Sequence, residues 1–502
     1  MERSQNRTPE AYKQLENASA VVLIFMTVWA PWAFGSTSLF NRTVLALAGY
    51  VAGLLLAGKW WVRRSTGYKP ARWGEPTPRG ETLVRCLAAL TVVFLVYVLI
   101  GVLNARAVGE YISSGPTQGV NLNYLDRTPI SWLPASYDRP VSLEAFFRWT
   151  SLALAFWAAR DWFLGKTRSE RRETDPELMF FPGDRLNLWL WMLMGSSFLL
   201  AVVSIIQRMD GTEKLLWLVT PRVRDPNSQW GYPPNFHFGP YNYRGNAAQY
   251  FNLIWPVAVG FWWTSREIER RTRGIASRAG QGPDVLLLPW AIILGAAPIA
   301  STSRGGALVS VILAAGTGVV LSSSRSIRSL KGRFSALGIV ALVLAVGAWI
   351  GGSELVGRIQ SSQTNPYNSR LSVYDAALKM EADFRWLGSG ADTFASVHPF
   401  YRNAPTDEWV GYAHNDWLES VITLGVVGTT VLVLMLVLAV LIPWMNRRPG
   451  VPREFAALLG LGLGGMLLHA TWDFPFQIMS LQLEFLFVLA ALTTFGRKGS
   501  AG

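Results

Sequence analysis

Apolar runs of about 17 residues or more recur along the whole chain, and each is long enough to cross about 30 Å of hydrocarbon as a helix. Short polar or basic segments separate these runs. The pattern predicts an all-α polytopic membrane protein. We predict twelve membrane helices, near residues 18–39, 44–62, 82–103, 144–164, 186–207, 246–264, 285–301, 306–322, 336–352, 420–444, 455–472 and 479–495.

The composition agrees with this fold class, since 50% of the 502 residues are hydrophobic and only 16% are charged. A net charge of +13 is compatible with nucleic-acid binding in a soluble protein. Here the basic residues lie in short loops between apolar runs, so we predict no nucleic-acid partner. The basic residues are concentrated in alternate loops. Since basic loops lie on the cytoplasmic side of a membrane, this bias places the N-terminus in the cytoplasm. The single Cys86 excludes a disulfide within the chain.

This orientation leaves three long segments outside, at about residues 104–143, 208–245 and 353–419. The first two contain many Pro, Gly, Asn and Trp residues and are expected to be ordered loops. The third has helical periodicity at 369–384, where one face is predicted to carry Leu371, Tyr374, Ala377 and Met380.

The chain therefore divides into three predicted regions. N-terminal membrane helices one to nine occupy residues 1–352, and an outer helical cap occupies residues 353–419. C-terminal membrane helices ten to twelve occupy residues 420–502. The first apolar run, starting near Ala18, is expected to remain as a membrane helix rather than to be removed as a signal peptide.

A histidine stands where the tenth predicted membrane helix meets water, in the stretch AHNDWLESVITLGVVGTT at 413–430. The helix N-terminus favours the neutral imidazole of His414, whereas the nearby Asp416 favours the charged form, so both protonation states stay open. Asn415 and Asp416 are also natural helix caps. The simplest alternative is therefore a polar helix start without catalytic function.

Two arginines lie at outer helix ends, where the positive-inside rule does not place them. Arg304 stands in the tight turn STSRGGAL, and Arg244 stands in PYNYRGNAAQYFN just before an apolar run. Each is compatible with an interfacial anchor that binds lipid phosphate. Together, two guanidinium groups at adjacent helix ends form a site for a diphosphate, because each binds phosphate oxygens with a pair of donors.

Other polar residues carry weaker signals. His469 and Asp473 are spaced to pair with each other at an outer helix end, and Arg370 and Arg402 lie in the third outer segment. His237 and His398 lack metal-ligand spacing, and no Asp-x-Asp pair is placed to hold a divalent ion. We therefore predict that the protein needs no metal or other cofactor.

These residues also carry a resemblance to a known family. His414-Asn415, followed after nine residues by Gly-Val-Val-Gly-Thr-Thr at 425–430, resembles the His-Asn…Gly-x-x-Gly-Thr-Thr signature of bacterial O-antigen ligases. STSRGGALVSVILA is similar to the Ser-Arg-Gly motif of the wider O-antigen ligase and polymerase family. PYNYRGNAAQYFNLIWP resembles its Asn-Arg-Asn segment, although Tyr243 and Gly245 flank Arg244 here. Residues 368–394 are similar to the family's outer-loop segment, and the matches together cover about 230–480.

The resemblance implies a membrane glycosyltransferase that works at the periplasmic face of the bacterial inner membrane. The implied donor is a glycan on undecaprenyl diphosphate, and the implied acceptor is a hydroxyl of another glycan, of lipid A core or of a protein. Arg244 and Arg304 would stabilise the leaving diphosphate, and His414 would act as general base or orient the acceptor, with inversion at the anomeric carbon. The residues expected to contact substrate are Tyr243, Ser303, Arg370, Arg402 and Asn415.

Three alternatives remain open. A polysaccharide polymerase of the same family has similar requirements for Arg and His. A transporter or flippase for lipid-linked sugars also needs outer arginines for the diphosphate, but should carry ionisable residues near the middle of the membrane. The predicted helices show few such residues, since Arg85 and Arg148 lie near predicted helix ends. A pure assembly scaffold has no need of converging Arg and His.

Overall fold

The structure is a computed structural model and is 76% helical. It describes residues 8–73, 77–114, 117–126, 128–167, 183–220, 236–273, 284–324, 330–364, 369–402, 410–445 and 452–496. In these residues the long helices are α1 Glu10–Trp32, α2 Leu39–Thr66, α3 Pro78–Leu103, α4 Arg139–Leu164, α5 Asp184–Asp210, α6 Arg244–Arg273, α7 Asp284–Ala300, α8 Arg304–Ser322, α9 Leu330–Thr364, α10 Ser369–Phe384, α11 Asp416–Met445, α12 Arg453–His469 and α13 Met479–Thr493.

Each of the twelve predicted apolar runs coincides with a helix other than α10. Among the described residues, seven helices are long and apolar enough to cross a membrane by length and composition. They are α1, α2, α3, α5, α8, α11 and the part Leu337–Gln360 of α9. The chain is thus a multi-pass membrane protein, whereas the total of twelve crossings stays a prediction.

Successive long helices run in opposite directions. We call the end of the bundle at which α6, α8 and α11 begin the upper end, and the opposite end the lower end. Helices α3, α5 and α9 therefore end at the upper end. The helix α9 continues without a break past residue 352, where the cap was predicted to start.

The first predicted outer segment contains sheet as well as loop. Strands β1 Ala107–Ser114 and β2 Thr117–Tyr124 form an antiparallel hairpin, with Ala107 opposite Tyr124. The all-α fold class is consistent with this small amount of sheet, whereas the first outer segment, expected to be an ordered loop, contains a hairpin. In the second outer segment, residues 221–235 lie outside the described residues.

The segment with helical periodicity in the cap is helical, as predicted, and forms α10. Its buried face differs from the predicted one, because Leu371 is 64% exposed and Tyr374 only partly buried. The buried positions are Val373, Ala376, Ala377 and Met380, which also follow helical spacing. Of these, Val373, Ala377 and Met380 pack with Phe394, Val397, Ala413 and Ile422 in a small separate core. This core attaches the cap to the start of α11.

Gly425 interrupts α11 with φ 67° and ψ 174°, a conformation that only glycine adopts readily. The segment 385–390 lies against this break through backbone hydrogen bonds, with Val426 N donating to Arg385 O at 2.7 Å. The Tyr97 hydroxyl of α3 donates to the carbonyls of Leu387 and Leu424 at 2.8 and 2.7 Å. Gly428 lies directly against the Tyr97 ring. The two glycines therefore allow close packing of α11 against α3 and the segment 385–390.

Gly425→Ala should lower the free energy of unfolding by about 1–3 kcal/mol, because of the strained φ/ψ region. The added Cβ would also clash with the carbonyl group of Trp386. The matched control is Gly460→Ala in α12, where a Cβ meets no atom within 4 Å. Thermal unfolding of both variants in detergent measures the effect. Equal midpoints for the two variants would show that the break does not depend on glycine.

Candidate functional site

The carboxylate of Asp473 joins four parts of the chain at the upper end. It is 2% exposed and lies in the turn after α12. Its Oδ1 is 3.4 Å from His414 Nδ1, and its Oδ2 is 3.7 Å from His469 Nε2. The Tyr243 hydroxyl donates to Oδ2 at 3.2 Å. Arg370 of the cap donates to the Tyr243 hydroxyl at 3.3 Å and to the Trp472 carbonyl at 3.0 Å.

These contacts determine the charge state of the carboxylate. Burial alone raises the pKa of Asp473, but the hydrogen bond from His414 and the charges of His469 and Arg370 bring that pKa below its ordinary value. Asp473 is therefore an anion near neutral pH and attracts a proton on the facing nitrogen of His414. The sequence suggested only its pairing with His469.

Phe474 is the centre of an aromatic stack beside this carboxylate. The rings of Tyr243 and Tyr412 stack on Phe474 with centroid distances of 5.4 and 4.5 Å. The His414 ring meets it edge to face at 4.9 Å. Because the Phe474 ring and the Asp473 carboxylate both contact the imidazole, they restrict its orientation, while the His414 side chain stays 29% exposed.

The backbone presents His414 just before α11, in the left-handed region with φ 52°. Its carbonyl accepts a hydrogen bond from the Tyr374 hydroxyl of the cap at 2.9 Å. Asn415 caps α11, since its Oδ1 accepts from the Leu418 N–H at 3.0 Å. The Asp416 carboxylate accepts from the Phe476 N–H at 2.7 Å and from the Gln477 side-chain amide at 3.0 Å. The carboxylate that acts on His414 is thus Asp473 rather than the predicted Asp416.

The turn before α8 packs tightly against this region. Ser303 caps α8 by accepting from the Gly306 N–H at 3.2 Å. Gly305 lies directly against Trp472 and His469, and Gly306 lies against Ala248 of α6. A side chain at either glycine would separate these elements. The turn therefore brings the start of α8 next to both α6 and the Asp473 turn.

Four guanidinium groups collect around the start of α8, and we call them the arginine cluster: Arg208, Arg244, Arg304 and Arg358. Arg358 donates to the Thr302 carbonyl, and Arg208 donates to the Ser301 carbonyl at 3.1 Å. The carboxylate of Glu354 lies 3.6 Å from Arg208. Among the described residues, Glu354 is the one carboxylate that acts on this cluster.

Counted over the described residues, the four arginines of the cluster outnumber its carboxylate, Glu354. Burial and the charge of Arg358 lower the pKa of Arg244 to about 9, so it remains protonated near pH 7. Arg304 is exposed and makes no hydrogen bond or ion pair with the described residues. It also stands at the N-terminus of α8, where the helix dipole adds positive potential. Backbone N–H groups at a helix N-terminus and guanidinium groups are the donors from which phosphate oxygens accept hydrogen bonds in proteins.

An apolar cavity of about 200 Å³ opens on the other side of the start of α11. Its upper part is polar, with Asp392, Asp416, Ser420 and Gln477, and Trp417 lies beside them. The remainder runs between α3, α4, α11 and α13 and is lined mainly by Leu, Phe, Trp and Ala side chains. The cavity suits the hydrocarbon chain of a lipid whose polar group lies near the upper end.

The structure brings most of the predicted site residues together. Arg244, Arg304 and Ser303 lie in or beside the arginine cluster, and His414, Tyr243 and Arg370 surround Asp473 or its partners. Asn415 forms the cap of α11. Arg402 lies near His398, and its positive charge acts on that imidazole. Arg402 is not among the residues described above as contacting Asp473 or its partners.

Sequence reasoning missed two members of the arginine cluster, Arg208 and Arg358. Both lie near the upper ends of apolar helices, α5 and α9, and so share the departure from the positive-inside rule that drew attention to Arg304. That signal was available for them as well.

Residues 290–433 match a family model described as O-antigen ligase. The match begins in α7, includes the start of α8, the cap and His414, and ends within α11. This segment of the chain is thus similar to the O-antigen ligase and polymerase family. Members of this family are membrane glycosyltransferase-like enzymes. No curated protein sequence matches the chain.

Asp473→Asn should lower the melting temperature at pH 7 and have less effect at low pH. A carboxyl group whose pKa is lower in the folded than in the unfolded protein stabilises the fold at pH values above its unfolded-state pKa of about 3.9. This contribution disappears as the pH falls through the folded-state pKa. The difference between wild type and variant should therefore shrink below about pH 4. Thermal unfolding from pH 7 to pH 3 measures it. A difference that grows on acidification would contradict the stabilised anion.

Proposed function

We propose that the protein transfers a glycan from undecaprenyl diphosphate to an acceptor hydroxyl, as an inverting and metal-independent O-antigen ligase-type enzyme of the bacterial inner membrane. The active site would face the periplasm. The observation that carries this proposal is the arginine cluster beside a histidine with a buried carboxylate partner. The family match over residues 290–433 supports the reaction class.

The arginine cluster would bind the donor diphosphate. As the bond between the anomeric carbon and the phosphate oxygen breaks, negative charge builds up on the leaving diphosphate. Guanidinium groups held in place before the reaction stabilise this charge without rearrangement. Arg304 and the first N–H groups of α8 are the most accessible donors, and the buried Arg244 adds a fixed positive charge. A diphosphate with such partners leaves without protonation by a carboxylic acid.

His414 would accept the proton of the attacking hydroxyl. Its Nδ1 faces the Asp473 anion, which favours the tautomer with the proton on Nδ1 and the lone pair on Nε2. The acceptor oxygen then attacks the anomeric carbon from the side opposite the diphosphate, and its proton passes to Nε2. One bond forms, one breaks, and the configuration inverts. In this scheme Asp473 is a positioning residue that stabilises the imidazolium.

The apolar cavity would hold hydrocarbon of the lipid-linked donor. Its mouth includes Asp416 and Trp417, two and three residues after His414 along the chain. A polyprenyl chain in the cavity would place its diphosphate at the upper end, within the same region as His414. Tyr243, Ser303, Arg370 and Asn415 would contribute polar contacts to the sugar or the diphosphate, and Arg402 would do so from the cap.

A polymerase of the same family is the main alternative. It would use the same arginines and histidine, so only the acceptor separates the two functions. A reaction with two defined acceptors, lipid A core and a free glycan repeat unit, decides between them. Transfer to the lipid A core alone supports the ligase, and transfer to the repeat unit alone supports the polymerase.

A transporter of lipid-linked sugars is favoured by one observation. Glu484 in α13 is fully buried, and neither carboxyl oxygen has a hydrogen-bond partner among the described residues. Ionisable groups within membrane helices often serve transport. Flipping of a labelled lipid-linked glycan in liposomes, without any acceptor, tests this function.

Arg304→Ala and Arg244→Ala should each lower kcat for transfer by about 10²–10³-fold, the usual effect of removing a donor to a developing anion. His414→Ala should lower kcat by about 10²–10⁴-fold, the usual contribution of a general base. Purified protein, lipid-linked donor and acceptor in EDTA provide the assay.

The matched control is Arg85→Ala, since Arg85 is an exposed arginine on α3 that pairs with Glu81 one helical turn away. It should keep wild-type activity. Full activity of Arg304→Ala would exclude the diphosphate site, and loss of wild-type activity in EDTA would exclude the metal-independent mechanism.

Leu432→Trp should raise KM for the long-chain donor about tenfold, since excluding two CH₂ groups from the cavity costs about 1.6 kcal/mol. Leu432 lines the cavity. The control is Leu434→Trp on the same helix, where Leu434 is 46% exposed. KM for a donor with a short prenyl chain should change little in either variant. An equal KM for the long-chain donor in both variants would assign the lipid chain to another place.

A further inference from the structure

The lower end of the bundle contains a buried group of charged side chains that the proposed reaction does not use. Lys59 is fully buried, with its Nζ 3.0 Å from Asp161 and 3.9 Å from Glu16. Arg63 donates to both oxygens of Asp161 at 2.9 and 2.8 Å, and Arg72 donates to the same carboxylate at 3.1 Å. These pairs join α1, α2 and α4, together with the loop after α2.

Among the residues that the structure describes, positive charge exceeds negative charge in this group, which we call the lower cluster. Its cations are Lys59, Arg63, Arg72, Arg160 and Arg185, and its anions are Glu16 and Asp161. A group that only joins helix ends through ion pairs needs about equal numbers of positively and negatively charged side chains. A surplus of buried cations is costly, because each loses its hydration without a full partner.

The excess of positive charge is clearest at Arg160. It is only 9% exposed, its Nε has no hydrogen-bond partner, and it forms no ion pair within the described part of the chain. The adjacent Asp161 attracts it, but Lys59, Arg63 and Arg72 already share that carboxylate. The charge of Arg72 acts on Arg160 repulsively. Two guanidinium groups thus lie close together without enough negative charge between them.

This cluster lies at the depth of lipid headgroups. Trp60 and Trp61 directly follow Lys59 on α2 and are 57% and 73% exposed. Exposed tryptophans at the end of a membrane helix mark the interface between hydrocarbon and water. The Arg160 guanidinium lies over the Trp157 ring, with 5.9 Å between Cζ of Arg160 and the ring centroid. The Arg72 side chain is 42% exposed, so the cluster is open on that side.

We propose that Arg160 and Arg72 bind the phosphate of an anionic phospholipid headgroup at the lower end of the bundle. Arginine pairs bind phosphate oxygens in this geometry, and basic pockets between membrane helices bind anionic headgroups. The bound phosphate adds the negative charge that the cluster lacks. The site is separate from the arginine cluster, which lies at the opposite end.

The test uses the purified full-length protein after removal of lipid by detergent. Phosphatidylglycerol is titrated while the melting temperature is followed by tryptophan fluorescence. The wild-type melting temperature should rise with phosphatidylglycerol and not with phosphatidylcholine or inorganic phosphate. In Arg160→Gln the half-saturating concentration should increase about tenfold, since a charged hydrogen bond contributes about 1.5 kcal/mol or more.

The matched control is Arg64→Gln, which removes the same charge from an exposed arginine on the same lower end. It should respond to phosphatidylglycerol as the wild type does. If Arg160→Gln does not fold, Arg72→Gln replaces it and should show the same loss. An unchanged response in the variant that folds would overturn the proposal. An equal response of the wild type to inorganic phosphate or to phosphatidylcholine would also overturn it.

Discussion

The arrangement of the upper end depends on one buried carboxylate. Asp473 lies between the start of α6, the cap and the residues before α11, and it contacts His414, His469 and Tyr243 directly. Burial of a carboxylate is costly unless donors surround it, so these contacts stabilise the anion and position its partners at the same time. Arg370 links the cap to the same carboxylate through Tyr243. The geometry of the imidazole thus follows from satisfying a buried charge.

Glycine provides the second constraint, because the polar elements meet at very short range. Gly305 and Gly306 let the start of α8 approach both α6 and the Asp473 turn. Gly425 and Gly388 let two backbones meet where α11 breaks below His414. The absence of side chains at Gly305 and Gly306 thus lets the start of α8, which carries Arg304, pack against the turn that carries Asp473. The glycines that resemble the family signature therefore also have a packing function.

Among the described residues, positive charge exceeds negative charge at both ends of the bundle, in different settings. At the upper end, an exposed Arg304 and a buried Arg244 surround a helix N-terminus. At the lower end, Arg160 lies beside an ion-pair network whose carboxylates are already shared. In a low-dielectric surrounding, unbalanced charge of this kind indicates an anionic partner more strongly than surface charge does. Both proposals rest on this physical point.

The sequence by itself determined the helices, since apolar runs of membrane length can satisfy their backbone only as helices. It also identified His414, Arg304 and Arg244, because polar residues at helix ends contradict the surrounding pattern. The hairpin of β1 and β2, the buried face of α10 and the role of Asp473 were decided by the tertiary structure. Cross-strand pairing, cap packing and the choice between Asp416 and Asp473 depend on contacts between segments far apart in the chain. Local periodicity contains no information about such contacts.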